Sequence, residues 1–135
     1  MKRILFDTNI YGKLEEDPDT LRIIKEKYKK EFIIYGCSTI RNELKNIPKK
    51  IKHEKCKVRI LLLDIYDSFI TKENHNLKYN KLIEILTNAY IKEYKKKKNS
   101  LSEDSIKNDF IIIATATIHQ LEIIVSADKS SIFSE

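Results

Sequence analysis

At 135 residues the chain has the length of one ordinary domain, enough for one substantial core and too short for two. A formal charge of +6, from 26 Lys and Arg against 20 acids, points to a polyanionic partner, although surface ion networks would absorb part of that excess. No apolar run approaches the roughly 18 to 20 residues of a membrane span, and Cys37 and Cys56 lack the spacing of a disulfide or zinc framework. The opening MKRILFD carries an acid where a signal peptide needs an apolar stretch, so a cytoplasmic protein with buried thiols is expected.

Lys2 and Arg3 lead into Ile4, Leu5 and Phe6, a short apolar run typical of a central parallel strand, and Asp7 follows at once. Open α/β sheets bind ligands outside the carboxyl ends of their strands, so the sequence from Asp7 through Thr8 to Asn9 is positioned for function. The competing role for Asp7 is N-cap of the following helix. Asp17, Pro18, Asp19 and Thr20 read as a turn and helix start, with Leu21, Ile24 and Tyr28 at helical spacing beyond them. Residues 32–35 form a second strand, Gly36 and Cys37 leave it, and Ser38 or Thr39 caps a helix that runs through Leu44 to a stop at Pro48. Glu43 lies in the second turn of that helix; its ordinary role would be a surface pair with Arg41 or Lys45.

Val58, Leu61, Leu62, Ile65 and Phe69 follow helical periodicity, with residues 69–71 as an alternative short third strand. From Tyr79, the positions Leu82, Ile83, Leu86, Tyr90 and Tyr94 trace an amphipathic helix running into lysines 95–98, which either complement the helix dipole or contact phosphate. Residues 99–104 are a polar linker in which Ser100, Asp104 and Ser105 are alternative caps. The most apolar stretch, residues 108–128, divides into a helix over 110–118 and a strand over 122–125. Its isoleucines and threonines favour strand, yet Ile106, Phe110, Ile113 and Thr117 recur at helical spacing. Asp109 then projects from an early turn of the helix, and Asp128 lies just past the strand. Of the remaining candidates, His53 and His75 have surface neighbours, His119 follows a helix end, and Tyr11 serves either base stacking or core packing.

The order is strand, helix, helix, strand, helix, helix, strand, helix, helix, strand, with the third strand the least defined. This is the alternation of an α/β fold with a central parallel sheet of about four strands. Parallel neighbours bring Asp7 and Asp128 to one sheet edge, and helices starting there add Glu43 and Asp109. Carboxylates gathered in this way repel one another unless they bind a cation. An all-oxygen ligand set selects Mg²⁺ or Mn²⁺ over Zn²⁺. The chemistry that follows is metal-assisted phosphodiester hydrolysis, with the basic surface holding the polyanion.

Four motifs in order, LFDTNI around Asp7, STIRNEL ending at Glu43 and Leu44, NDFIIIATA from Asn108 and Asp109, and IIVSAD ending at Asp128, carry a resemblance over nearly the whole chain. They resemble those of PIN-domain ribonucleases, particularly the small VapC-like toxins of prokaryotic toxin–antitoxin pairs. The resemblance implies a three-layer α/β/α fold, with Asp7, Glu43, Asp109 and Asp128 catalytic and metal-binding. It makes Thr8, Asn9 and Ser126 supports that orient ligands or waters, and Asp104 a further candidate acid. It also implies an RNA substrate, an antitoxin partner and a homodimer. The chain departs from the family pattern in having only residues 129–135 where PIN domains continue to a final strand. Two alternatives stay within the fold: a catalytically silent PIN-like module binding RNA or protein, and a PIN nuclease of RNA processing. A response-regulator receiver fits less well, because the acid it needs after the second strand is missing.

Overall fold

The computed structural model describes residues 1–53, 56–97 and 103–126. In chain order its elements are β1 (Lys2–Phe6), α1 (Thr8–Glu16), α2 (Pro18–Lys27), β2 (Phe32–Cys37), α3 (Ser38–Lys45), β3 (Lys52–His53), β4 (Cys56–Lys57), α4 (Val58–Phe69), a 3-10 turn (Glu73–His75), β5 (Asn76–Leu77), α5 (Lys81–Lys97), α6 (Glu103–Ile118) and β6 (Ile123–Val125). The main sheet has four strands in the order β5-β2-β1-β6, all parallel, with helices on it as in a PIN-like three-layer α/β/α fold. A separate antiparallel hairpin, β3 with β4, had no sequence signal strong enough to announce it.

β1 is central because its apolar run can be covered from both sides: Leu5 and Phe6 are buried, and Ile4 stands in register with Ile34 on one neighbour and Ile123 on the other. Leu5, Phe6, Ile34, Ile40, Leu44, Phe69 and Ile112 belong to one core, in which Phe6 meets Phe69 and Tyr11 edge-to-face. The start of β6 is tied to β1 by Arg3, whose backbone N–H donates to Glu122 Oε2 at 2.6 Å and whose guanidinium donates to the Gln120 carbonyl.

α6 is a helix, as its spacing indicates, but it begins at Glu103, so Asp104 and Ser105 lie inside it rather than capping it. The expected apolar face is also displaced: Thr117 is exposed, whereas Ile111, Ile112, Ala114, Thr115 and Ala116 are buried. The cause is burial on two sides. Ile112 and Ala116 join the sheet core, while Ile111 and Ala114 pack with Ile83 of α5 in a second cluster. Thr115 and Thr117 are accommodated because their hydroxyls donate to the Ile111 and Ile113 carbonyls at 2.7 and 2.9 Å.

Other boundaries move for tertiary reasons. Gly36 and Cys37 continue β2 instead of leaving it, since β5 pairs with both. A Cβ at Gly36 would collide with the Tyr66 ring, so the strand keeps glycine for close approach. α3 starts directly after Cys37, which leaves Ser38 and Thr39 inside the helix, and the Ser38 hydroxyl accepts from the Tyr79 N–H at 3.3 Å. Residues 69–71 are not a strand: α4 runs through Phe69, and the third strand of the sheet is Asn76–Leu77. On α5 the buried positions are Ile83, Thr87 and Ile91, whereas Leu82 is 61% exposed and the expected face is rotated accordingly.

Candidate active site

Asp7 follows β1 at its carboxyl end and is only 3% exposed. It occupies the N-cap position of α1 with extended backbone, φ −64° and ψ 160°, yet its side chain makes no capping bond. The carboxylate instead accepts from the Ser126 hydroxyl, Oγ to Oδ2 3.0 Å, and the Asp7 N–H donates to the Val125 carbonyl at 2.9 Å. Sheet register dictates this pairing, because Phe6 stands opposite Val125 and the next residues on each strand are Asp7 and Ser126. A carboxylate so deeply buried is retained when it is hydrogen-bonded or charge-paired.

Glu43 reaches the same edge from α3. Its Oε1 accepts from the Thr8 hydroxyl at 2.7 Å, so the residue next to Asp7 holds the second acid. Arg41, which a surface role for Glu43 would engage, pairs instead with Asp67 at 3.1 Å. Cys37 is buried at the junction of β2 and α3, one residue before the helix that carries Glu43. Burial pushes its thiol up to about 12 against the downward pull of the Ile40 and Thr39 N–H groups, and the nearby Glu43 and Asp7 charges add to the rise. Cys37 is thus the buried thiol its sequence context indicates.

Asp109 sits half-buried in the second turn of α6, three residues before the core residue Ile112, and α6 packs against the helix that carries Glu43. Thr8 and Ser126, expected to orient ligands or waters, donate their hydroxyls to Glu43 and Asp7, while Asn9 is solvent-exposed on α1. Asp128 lies outside the described residues, and α6 includes Asp104. Among the described residues, no three carboxylate, imidazole or thiol groups form a ready metal cage. The donor chemistry nevertheless fits a hard cation: Asp7, Glu43 and Asp109 offer only oxygen, and hydroxyls orient two of them.

Two of the other candidates, Tyr11 and His75, resolve as structure. Tyr11 is fully buried, which excludes base stacking, and its hydroxyl has no hydrogen-bond partner among the described residues. His75 is not a plain surface residue; its ring lies 4.5 Å from that of Tyr35. A cleft of about 750 Å³ lined by Lys72, Asn76, Lys78 and His119 contains none of Asp7, Glu43 and Asp109. Among the described residues, no helix is long and apolar enough to cross a membrane.

Neither a protein-family model nor a curated protein sequence matches the chain. Solved structures do. The chain is similar to a chain of VapBC2 from Rickettsia felis, crystallised bound to a DNA fragment from their promoter, with a TM-score of 0.69 and 19% identity over 95% of this chain and 89% of that one. It is also similar to a chain of FitAcB from Neisseria gonorrhoeae, with a TM-score of 0.58 and 15% identity over 93% and 88% of the two chains. At such identities the likeness is one of fold, and the fold is PIN-like across almost the whole chain.

Proposed function

We propose that the chain is a metal-dependent endoribonuclease of the VapC-like kind, the toxin of a toxin–antitoxin pair. The supporting observation is the knitting of separate segments around a buried carboxylate at the carboxyl edge of the sheet, through Thr8 to Glu43 and Ser126 to Asp7. Asp7, Glu43 and Asp109, with Asp128, would hold Mg²⁺ or Mn²⁺. Bound there, the ion would make a water more acidic and offset charge on a phosphoryl oxygen. The chain's own contribution is orientation: Ser126 fixes one oxygen of Asp7 and Thr8 fixes one oxygen of Glu43. The net charge of +6 suits an RNA substrate. Exposed Leu82 and Ile85 on α5 offer apolar surface for a protein partner, whether antitoxin or second copy.

A catalytically silent PIN-like binding module is the second reading, favoured by the absence of a ready three-group cage among the described residues. Cleavage of several RNA classes, with Mn²⁺ and with EDTA, separates the two. The nuclease reading expects cutting that EDTA stops and that Asp7→Asn lowers by at least about a hundredfold while circular dichroism stays unchanged. RNA binding with steep salt dependence and no cutting in Mn²⁺ selects the silent module. Cutting undiminished in Asp7→Asn refutes the site.

A further inference from the structure

Next to Asp109 in sequence, Phe110 opens a cleft of about 330 Å³ between α5 and α6, lined by Tyr90, Glu93, Tyr94, Lys97 and Phe110. That volume lies at the lower end of ligand clefts. Its walls are mostly aromatic: the Phe110 ring stands 5.9 Å from Tyr90 and 5.6 Å from Tyr94, tilted to the first and edge-on to the second. All three rings are only half-buried although α5 and α6 pack together.

The rim carries one charge of each sign, Glu93 and Lys97. Lys97 lines the cleft, and Lys95 and Lys96 precede it at the end of α5. Glu93, the acid at the rim, is paired with Lys96 at 3.4 Å, which limits its repulsion of an anion. A flat apolar group joined to a negative charge matches this combination, as in a nucleotide whose base stacks on the rings while its phosphate meets lysine. A second copy of the chain is a poorer occupant, because the same run of lysines would approach itself.

We infer that the cleft bounded by Tyr90, Tyr94, Phe110 and Lys97 is a subsite for an unpaired base of single-stranded RNA. The inference rests on the ribonuclease reading and gives the substrate a second point of attachment on α6, the helix that carries Asp109.

The test is equilibrium binding of a fluorescein-labelled, unstructured RNA of about twelve nucleotides, a length suited to single-strand sites, in EDTA so that nothing is cut. Tyr94→Leu should weaken binding about tenfold, the loss of one stacked base, without changing the salt slope, and Tyr94→Phe should restore it. Lys97→Ala should reduce the salt slope by about 0.7, the value of one phosphate contact. An abasic ribose-phosphate strand should bind wild type and Tyr94→Leu equally. Wild-type binding that Tyr94→Leu leaves intact overturns the subsite alone. A Tyr94→Leu protein that changes only its oligomeric state also overturns it, assigning the cleft to protein docking. No RNA binding by the wild type overturns the ribonuclease reading together with the subsite.

Discussion

Thr8 holds Glu43 across 35 positions of sequence, and Ser126 holds Asp7 across 119. Both hydroxyls aim carboxylates instead of filling space, so their removal should be felt in activity before stability. Thr8→Val and Ser126→Ala are each expected to lower RNA cleavage about 10- to 100-fold, while single-bond loss costs roughly 1 kcal/mol in a urea melt. Thr8→Ser should restore activity; full activity in Thr8→Val would show that Glu43 needs no such support. Cys37 offers a pH test. Its folded-state value is raised from the ordinary 9.0 to about 12, first of all by burial. The stability due to its neutral thiol is therefore complete below the ordinary value and is lost as pH rises toward the folded one. Iodoacetamide at about pH 8.5 should leave the Cys37 peptide unmodified in native protein and label it in urea, as mass spectrometry would read.

At the scale of elements, the sequence disclosed what local periodicity encodes and missed what neighbours impose. β1 and α2 were legible because an apolar run ends in an acid and because Asp17 accepts from the Thr20 N–H at the helix start. α6 was recognisable as a helix, but its buried faces depend on the sheet and α5 lying on different sides of it. β5 escaped notice because two residues, Asn76 and Leu77, carry no periodicity and become a strand only by pairing with Gly36 and Cys37. Gly36 itself gave no hint that Tyr66 crosses it. Gly36→Ala should lower stability by about 1 to 3 kcal/mol through overpacking, measured by denaturant unfolding. An unchanged midpoint would mean that the Tyr66 ring moves aside freely.

For the whole molecule, the alternation of elements and the meeting of Asp7 with Ser126 at one sheet edge followed from sequence because a parallel sheet places neighbouring strand ends together. Asp7, Glu43, Thr8 and Ser126 were all nameable in advance, and the structure joins them in two hydroxyl–carboxylate pairs. The aromatic cleft was not, since Tyr90 and Tyr94 on one helix and Phe110 on another read as separate core positions until α5 meets α6. Asp128, the fourth acid of the expectation, lies outside the described residues, so the case rests on the acids of β1, α3 and α6 acting on one cation. Calorimetric titration of the protein with Mn²⁺ probes that directly. A saturable site that weakens at least about tenfold in each of Asp7→Asn, Glu43→Gln and Asp109→Asn is the expected result. Equal Mn²⁺ binding by wild type and all three folded variants would contradict it.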